Sequence, residues 1–231
     1  KALRLAEGKR AKTDKLDAGL IARFALIMSD AARPLPSAES LEIRALSTRR
    51  RQIVEMIAME KTRLKQAIDA PVAQSHRDLI TLLSEERARV EHELEARARA
   101  SADGERRAAL LRTMPGIGPA IAITLLADLP ELGRLDRKAV ASLAGLVPHP
   151  NQSGTREGRA HIQGGRPCVR AAMFLAALTG VRADKGFKRE YQAMRAAGKP
   201  AKVALVAIAR KMIVAANSML ANNQPWTPPN G

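Results

Sequence analysis

The stretch Leu110–Asp128, LLRTMPGIGPAIAITLLAD, decides the fold of the C-terminal half of this 231-residue chain. Apolar residues recur at helical spacing on both sides of the PGIGP break, which predicts a helix, a tight glycine turn and a second helix. This is the helix-hairpin-helix pattern. Because Gly116 and Gly118 carry no Cβ, the backbone amides that open the second helix can approach a DNA phosphate, where the helix dipole favours an anion. An ordinary packing corner between two helices is the alternative.

Helical patterns continue after this turn. Asp136 is expected to cap a helix that ends at Ala144, because Gly145 follows it. Further helices are predicted at about 167–182, 186–197 and 201–221, followed by an irregular tail, 222–231. Strand signals are scarce throughout, so the chain is expected to be mainly α-helical.

Toward the N-terminus, two long charged helices are predicted at about 37–70 and 76–100, with a turn at Pro71. Each helix carries a narrow apolar stripe flanked by charges, which is typical of an antiparallel coiled-coil hairpin. The stripes consist of Leu46, Ile53, Ile57, Leu64 and Ile68, and of Leu79, Leu83, Val90 and Leu94. The hairpin is either a simple spacer or an arm for self-association. A shorter amphipathic helix precedes it, with an apolar face of Leu16, Leu20, Ile21, Phe24 and Ile27 or Met28.

The composition indicates a polyanionic partner. The chain has 39 Lys and Arg against 23 Asp and Glu, a net charge of +16, and its aromatic content is only 2%. Such a charge attracts nucleic acid, and the shortage of aromatic residues favours backbone-phosphate contacts over base stacking. A solvated basic surface without a partner is the alternative. The single cysteine, Cys168, excludes an internal disulfide. No membrane span is expected, because Arg210 and Lys211 interrupt the apolar run 203–220.

The segment 151–170, NQSGTREGRAHIQGGRPCVR, combines a serine, glycines and arginines. Ser153 is followed by four guanidinium groups that together predict an anion-binding surface: Arg156, Arg159, Arg166 and Arg170. A hydroxyl nucleophile among phosphate ligands indicates phosphoryl transfer, although a plain polar loop is the alternative. His149 and His161 bracket the segment and are either bases, phosphate ligands or structural residues.

Two further groups of residues are candidates for chemistry. Asp14 and Asp17 are spaced i, i+3 at a predicted helix start, so they could share a divalent cation or simply cap the helix. Tyr191 lies among basic residues, as a recombinase nucleophile would, but its i, i+4 spacing from Phe187 favours packing.

Four segments together resemble transposases of the IS110/IS1111 family, which are related to the Piv invertases. They are KTDKLDA at 12–18, LLRTMPGIGPAIAITLLADL at 110–129, PNQSGTREGRAHIQGGRPCVRAAMF at 150–174 and GKPAKVALVAIARKMI at 198–213. The resemblance extends over essentially the whole chain. The Ser-Gly…Gly-Gly-Arg…Arg block after a helix-hairpin-helix is its most specific part.

The resemblance implies a RuvC-like nuclease domain with four acidic residues, then a coiled coil, then a C-terminal transposase domain with a catalytic serine. On this chain it implies the C-terminal remnant of the nuclease domain at 1–33, the coiled-coil hairpin at 37–102, the transposase domain at 104–221 and the tail at 222–231. The family's serine falls on Ser153, and its last two acids, ligands for Mg2+, fall on Asp14 and Asp17. Nucleic-acid contacts are expected from Gly116, Gly118, Arg156, Arg159, Arg166 and Arg170.

The implied function is that of an insertion-sequence transposase that cuts and rejoins DNA through a covalent phosphoserine. The implied partners are double-stranded DNA, a structured bridge RNA and further copies of the chain in a dimer or tetramer, in the bacterial cytoplasm at the nucleoid. The first two acids of the set would precede Lys1, so the magnesium site is expected to be incomplete and the chain inactive alone. A non-enzymatic helix-hairpin-helix binding module, or a truncated remnant of a transposase, is the alternative.

Overall fold

A computed structural model describes residues 14–27, 38–153 and 156–228. The chain divides into two compact units, Lys1–Ala38 and Glu39–Gly231. In the first unit, helix α1 spans Asp14–Ile27. Of its predicted apolar face, Leu20 is buried, whereas Ile21, Phe24 and Ile27 are exposed. Leu16 and Met28 lie outside the residues whose side chains are described.

The second unit is mostly helical, and the prediction of a mainly α fold is confirmed. Its helices are α2 (Ala38–Gln66), α3 (Ala70–Arg99), α4 (Ala102–Arg112), α5 (Pro119–Asp128), α6 (Arg137–Leu143), α7 (Pro167–Ala183), α8 (Lys185–Ala196) and α9 (Ala201–Asn222). Two antiparallel strands, β1 (Pro148–Ser153) and β2 (Arg156–Ile162), lie between α6 and α7.

Helices α2 and α3 form a helical hairpin around a narrow apolar seam. Ile53, Ile57, Leu83 and Val90 are buried together in this seam. The predicted stripes are wrong at their ends, because Ile68 is fully exposed and Ile80 rather than Leu79 packs against the seam. Pro71 does not mark the turn either. It lies in the first turn of α3, where proline is tolerated because its missing N–H would have no partner in the helix.

Ion pairs link the charged flanks of the helical hairpin. Arg50 donates to Glu91 at 2.7 Å, which connects α2 with α3. Near the other end of the hairpin, the buried carboxylate of Glu60 contacts the His76 Nδ1 at 2.6 Å and the guanidinium of Arg63 at 2.5 Å. These contacts, chiefly the hydrogen bond with His76, hold the pKa of Glu60 below its ordinary value.

The main core lies between α4–α7 and α9, with α8 packed against it. Helix α9 is in contact with α4, α6, α7 and α8. Its residues Ile208, Met212 and Ile213 are fully buried. By length and composition alone α9 could cross a membrane, but half of its most apolar window is buried inside the protein. This helix is therefore the central helix of the core in the structure.

The local signals at α6 are confirmed. The side chain of Asp136 accepts hydrogen bonds from the backbone N–H of Lys138 and Ala139 at 2.7 and 2.8 Å. Gly145 follows the helix with a φ of +67°, a conformation that L side chains rarely adopt. After α9 the chain is irregular to residue 228, as predicted, and Trp226 stacks on Phe187 with ring centroids 5.3 Å apart.

Two sets of contacts join the helical hairpin to the core. Leu94 and Ala98 of α3 are buried with Ile123 of α5. In addition, the Ser47 hydroxyl of α2 donates to Asp128 Oδ2 at 3.0 Å, at a buried position. The helical hairpin and the C-terminal core therefore belong to one compact unit.

Candidate active site

Ser153 lies at the tip of a β-hairpin. The sequence predicts a loop here, but strand β1 ends at Ser153 and strand β2 begins at Arg156, and these two residues are paired across the ladder. Opposing residues of an antiparallel ladder have Cα atoms about 4.5–5.5 Å apart. Residues 154–155 and the side chains of 150–160 lie outside the described part of the chain. The backbone therefore brings Ser153 together with Arg156.

The two histidines that bracket the segment lie at the other end of this β-hairpin. His149 is paired with His161, and the register shifts between His149 and Asn151. Ser153 lies four positions after His149 along the extended strand, a distance of about 13 Å. A general base needs to lie within about 3 Å of its proton, or one water further. Neither histidine is placed to take a proton from Ser153 directly.

Arg166 holds the base of the β-hairpin. Its guanidinium forms a two-pronged ion pair with Glu131, at 2.6 and 2.7 Å, and donates to the Asp128 carbonyl oxygen at 2.9 Å. The hydrogen bond with Glu131 is the main reason why the pKa of Arg166 is raised. The Arg166 backbone N–H also donates to Leu143 O at 2.8 Å. This arginine therefore fixes the strand end to α5 and α6.

The glycine pair before Arg166 allows this close contact. Gly165 has a φ of +62°, and a Cβ there would lie 2.8 Å from Leu143 O and closer still to the backbone of Gly145. Arg170 donates to Gly164 O at 2.7 Å, which fixes the preceding glycine. The Gly-Gly-Arg block therefore anchors the β-hairpin because only glycine permits the two backbones to meet.

The four predicted anion ligands thus fall into two groups. Arg166 and Arg170 point their guanidinium groups at acceptors of this chain, at the base of the β-hairpin. Arg156 and Arg159 lie on strand β2, with side chains outside the described residues. An internal partner reduces the capacity of Arg166 and Arg170 to bind phosphate, whereas phosphate binding by Arg156 and Arg159 stays a prediction.

The two glycines of the PGIGP turn between α4 and α5 differ in their surroundings. Gly116 has a φ of +93°, and a Cβ there would lie 2.7 Å from Gly180 N of α7. A glycine is therefore required at this position for the turn to pack against α7. Gly118 is exposed, opens α5 with extended backbone, and has nothing within 4 Å of the position of a Cβ. Sterically, a phosphate could approach at Gly118 but not at Gly116.

The N-terminus of α5 also faces acidic residues. A cavity of about 200 Å³ is lined by Pro119 and Ala120 of α5 and by Arg50, Glu91 and Glu95 of the helical hairpin. The two carboxylates oppose an anion at this helix end, and Arg50 is already paired with Glu91. Phosphate binding by the helix-hairpin-helix stays a prediction, with less electrostatic support than the sequence suggested.

Asp14 and Asp17 lie in the first turn of α1, and their side chains are outside the described residues. In the part of the chain that the structure describes, no group of three or more His, Cys, Asp or Glu side chains could hold a metal ion. The magnesium site therefore stays a prediction.

Sequence reasoning missed a polar cluster that involves Cys168. Burial, helped by the neighbouring carboxylate of Asp128, raises the pKa of the Cys168 thiol and keeps it protonated. Asp128 also accepts from Ser47, and its backbone carbonyl accepts from Arg166. This cluster connects the helical hairpin to the base of the β-hairpin. No local signal could have found it, because its members are up to 121 residues apart in the sequence.

Two transposase family models match the chain. The model of the transposase IS116/IS110/IS902 family matches residues 108–192, and the DEDD transposase model of IS110 elements matches residues 1–71. Together these two matches cover more than half of the chain. The chain belongs to the IS110 family of transposases.

Curated relatives agree with this assignment. The pilin gene-inverting protein of Moraxella bovis is 28% identical over 223 residues, which is 95% of this chain and 69% of that protein. Its counterpart from Moraxella lacunata has the same identity and coverage. An uncharacterised 43.6 kDa protein of insertion element IS110 from Streptomyces coelicolor is 34% identical over 129 residues, 55% of this chain and 32% of that protein.

Proposed function

We propose that this chain supplies the strand-transfer part of an insertion-sequence transposase, with Ser153 as the nucleophile that attacks a DNA phosphodiester. The observation that carries the proposal is the position of Ser153 at the tip of a β-hairpin whose base is clamped by Glu131, Arg166 and Arg170. A base held in place by several contacts suits a nucleophile that must keep a fixed position against the backbone of a large substrate. The similarity to proteins named for inverting a pilin gene supports DNA rearrangement as the outcome.

The proposed step is an exchange of oxygen atoms on phosphorus. Ser153 Oγ attacks the phosphorus and loses its proton to a base, the P–O3′ bond breaks, and the 3′ oxygen leaves as a hydroxyl. A free 3′-hydroxyl then attacks the phosphoserine and releases Ser153, so the number of phosphodiester bonds is unchanged. Arg156 and Arg159 of β2 would neutralise the phosphoryl oxygens as charge builds up on them. Arg166 and Arg170 would act by positioning the β-hairpin.

Magnesium would be held by Asp14 and Asp17, because carboxylates at i, i+3 on the first turn of α1 are hard oxygen donors that suit this ion. Two carboxylates are half of the acidic set that a DEDD site requires. When bound, the ion would stabilise negative charge on phosphate oxygens. Asp14 and Asp17 would supply two of the ligands of this ion, both from one turn of α1.

Self-association and RNA binding extend the proposal. The helical hairpin leaves Leu41, Met59 and Leu82 half exposed, which supports a role as an arm for a second copy of the chain. The net charge of +16 supports binding of a structured RNA as well as DNA.

A strand-cleavage assay with matched serine variants tests the proposal. Ser153→Ala is compared with Ser142→Ala, a change at an exposed position on α6, in the protein expressed from the complete reading frame that encodes this chain. We expect Ser142→Ala to keep cleavage and strand exchange on the element's own DNA ends and Ser153→Ala to abolish both. A Ser153→Ala protein that cleaves at the normal rate would contradict the proposal and favour a non-enzymatic binding module.

A further inference from the structure

Positive charge is concentrated in the C-terminal part of the chain. Residues 38–112, the helical hairpin and α4, have fifteen Lys and Arg against thirteen Asp and Glu. Residues 113–231 have sixteen Lys and Arg against only six acidic residues. Most of the long-range attraction for a polyanion therefore comes from the C-terminal part.

Within that part, charge is most unbalanced around α8. Residues 182–202 contain two acidic residues, and both have structural partners: Asp184 caps α8 by accepting from Phe187 N at 2.8 Å, and Glu190 pairs with Lys211 at 2.6 Å. The same segment contains seven cations, namely Arg182, Lys185, Lys188, Arg189, Arg195, Lys199 and Lys202. All seven are exposed. The arginines of α3 differ, since several are paired with glutamates one turn away.

Helix α8 separates apolar and basic residues onto opposite faces. Phe187 is buried, and Tyr191 and Met194 pack against the main core. Lys185, Lys188 and Arg189 recur at spacings of three and four on the opposite side; we call these three residues the α8 basic face. Among the described contacts, none of the three has an ion pair or a side-chain hydrogen bond.

Folding does not account for the position of these cations. Lys185 and Lys188 lie in the first turn of α8, where the helix dipole is positive and disfavours a cation. The same dipole adds to the attraction for an anion. The nearby carboxylate of Asp184 accepts from the Phe187 N–H as the helix cap and pairs with neither lysine. Two unpaired cations placed where they weaken the helix indicate a ligand that carries negative charge.

We propose that the α8 basic face binds the phosphate backbone of duplex DNA, at a surface separate from the serine β-hairpin. The proposal rests on the proposed function, because it takes DNA as the substrate. The tyrosine and phenylalanine of α8 face the core, so the surface has no platform for stacking bases of a single strand. Lysine and arginine side chains on one rigid helix suit the evenly spaced phosphates of a duplex.

The surface also has a defined distance from the base of the β-hairpin. Helix α7 begins at the base of the β-hairpin and ends next to α8, and its 17 residues extend about 25 Å. That length corresponds to about seven base pairs of DNA, since each base pair rises 3.4 Å. A duplex that contacts both ends of α7 would therefore touch the α8 basic face about seven base pairs away from the base of the β-hairpin.

The test measures the salt dependence of DNA binding by fluorescence anisotropy, with a labelled duplex of the element's end and the 231-residue chain. The variant is Lys185→Gln, Lys188→Gln and Arg189→Gln together. The control, Arg44→Gln with Lys61→Gln and Lys65→Gln, removes the same charge from exposed positions on the helical hairpin. Because all six side chains are exposed, both proteins are expected to fold, and thermal melts check this.

We expect the α8 variant to lose about 0.9 in the slope of log K against log salt for each phosphate contact removed, and about eightfold in affinity per contact at 0.1 M salt. The control is expected to keep the slope of the unsubstituted chain. Equal losses in the two variants would show an effect of net charge alone and overturn the proposal. A loss confined to a single strand, or to an RNA duplex of the same sequence, would overturn the choice of duplex DNA.

Ser153→Ala separates this proposal from the proposed function. That variant is expected to bind with an unchanged salt slope and to form no covalent product. If the protein expressed from the complete reading frame forms no covalent product while the α8 variant still loses its slope, the proposed nucleophile is wrong and the α8 basic face stands.

Discussion

Alanine at Gly116 should lower the stability of the protein strongly, whereas alanine at Gly118 should change it little, because the two glycines of the PGIGP turn have different surroundings. At Gly116 the new Cβ would lie 2.7 Å from Gly180 N and closer still to Ala176 O, both backbone atoms of α7 that cannot rotate away. At Gly118 the φ is −86° and the space around a Cβ is empty.

The magnitude at Gly116 has two parts. An alanine at a φ of +93° costs about 1–2 kcal/mol, and forcing a methyl group into a packed contact costs about 1–3 kcal/mol more. For a unit of this size, each kcal/mol lowers Tm by about 2–4 °C, so Gly116→Ala should lower Tm by about 4–20 °C. Gly118→Ala should stay within about 1 kcal/mol of the parent, because reduced freedom of the unfolded chain offsets a weaker helix cap.

Thermal melts followed by circular dichroism measure both effects, and DNA binding is measured below the lower Tm. Equal Tm values for the two variants would refute the packing assigned to Gly116. If phosphate contacts the amides that open α5, Gly118→Ala should weaken DNA binding without a change in Tm. Unchanged binding in that variant would leave the helix-hairpin-helix as a packing corner.

Two further predictions follow from the charged clusters. Arg166→Lys keeps the charge but loses the two-pronged contact with Glu131, so it should lower the free energy of unfolding by about 1–3 kcal/mol and speed amide hydrogen exchange in 148–162. Arg137→Lys, at an exposed position, is the control. Equal exchange rates in the two variants would contradict the clamp. Because the folded-state pKa of Glu60 lies below its ordinary value near 4.5, its contribution to stability is present above that pH and is lost as the pH falls through the folded pKa. Melts between pH 3 and 6 should therefore show a steeper acid loss for the parent than for Glu60→Gln, and parallel curves would show that the contact with His76 is not formed.

Local signals in the sequence were sufficient for most helices. Asp136 and Gly145 predict both ends of α6 because a cap and a left-handed glycine act within a few residues. The β-hairpin was missed because the segment 148–162 lacks the alternation of apolar and polar residues that marks a half-buried strand. Ile68 was placed in the apolar seam because it follows the heptad spacing, but α2 ends at Gln66, before that position.

Tertiary partners could not be predicted from spacing. Arg166 looks like a phosphate ligand in the sequence, and only the fold brings it to Glu131, 35 residues away. The role of Ser153 stays a prediction from the sequence, and the clamp at the base of its β-hairpin follows only from the fold. Long-range ion pairs of this kind depend on how the helices pack, which periodicity does not encode.

The central claim is that Ser153 forms a covalent bond with DNA. The most direct measurement incubates the protein expressed from the complete reading frame with a nicked duplex of the element's end, which traps the intermediate. The adduct is then mapped by mass spectrometry after digestion. The account predicts a nucleotide attached to the peptide that contains Ser153, and no adduct in Ser153→Ala. An adduct on Tyr191 or another residue, or cleavage without any adduct, would contradict it.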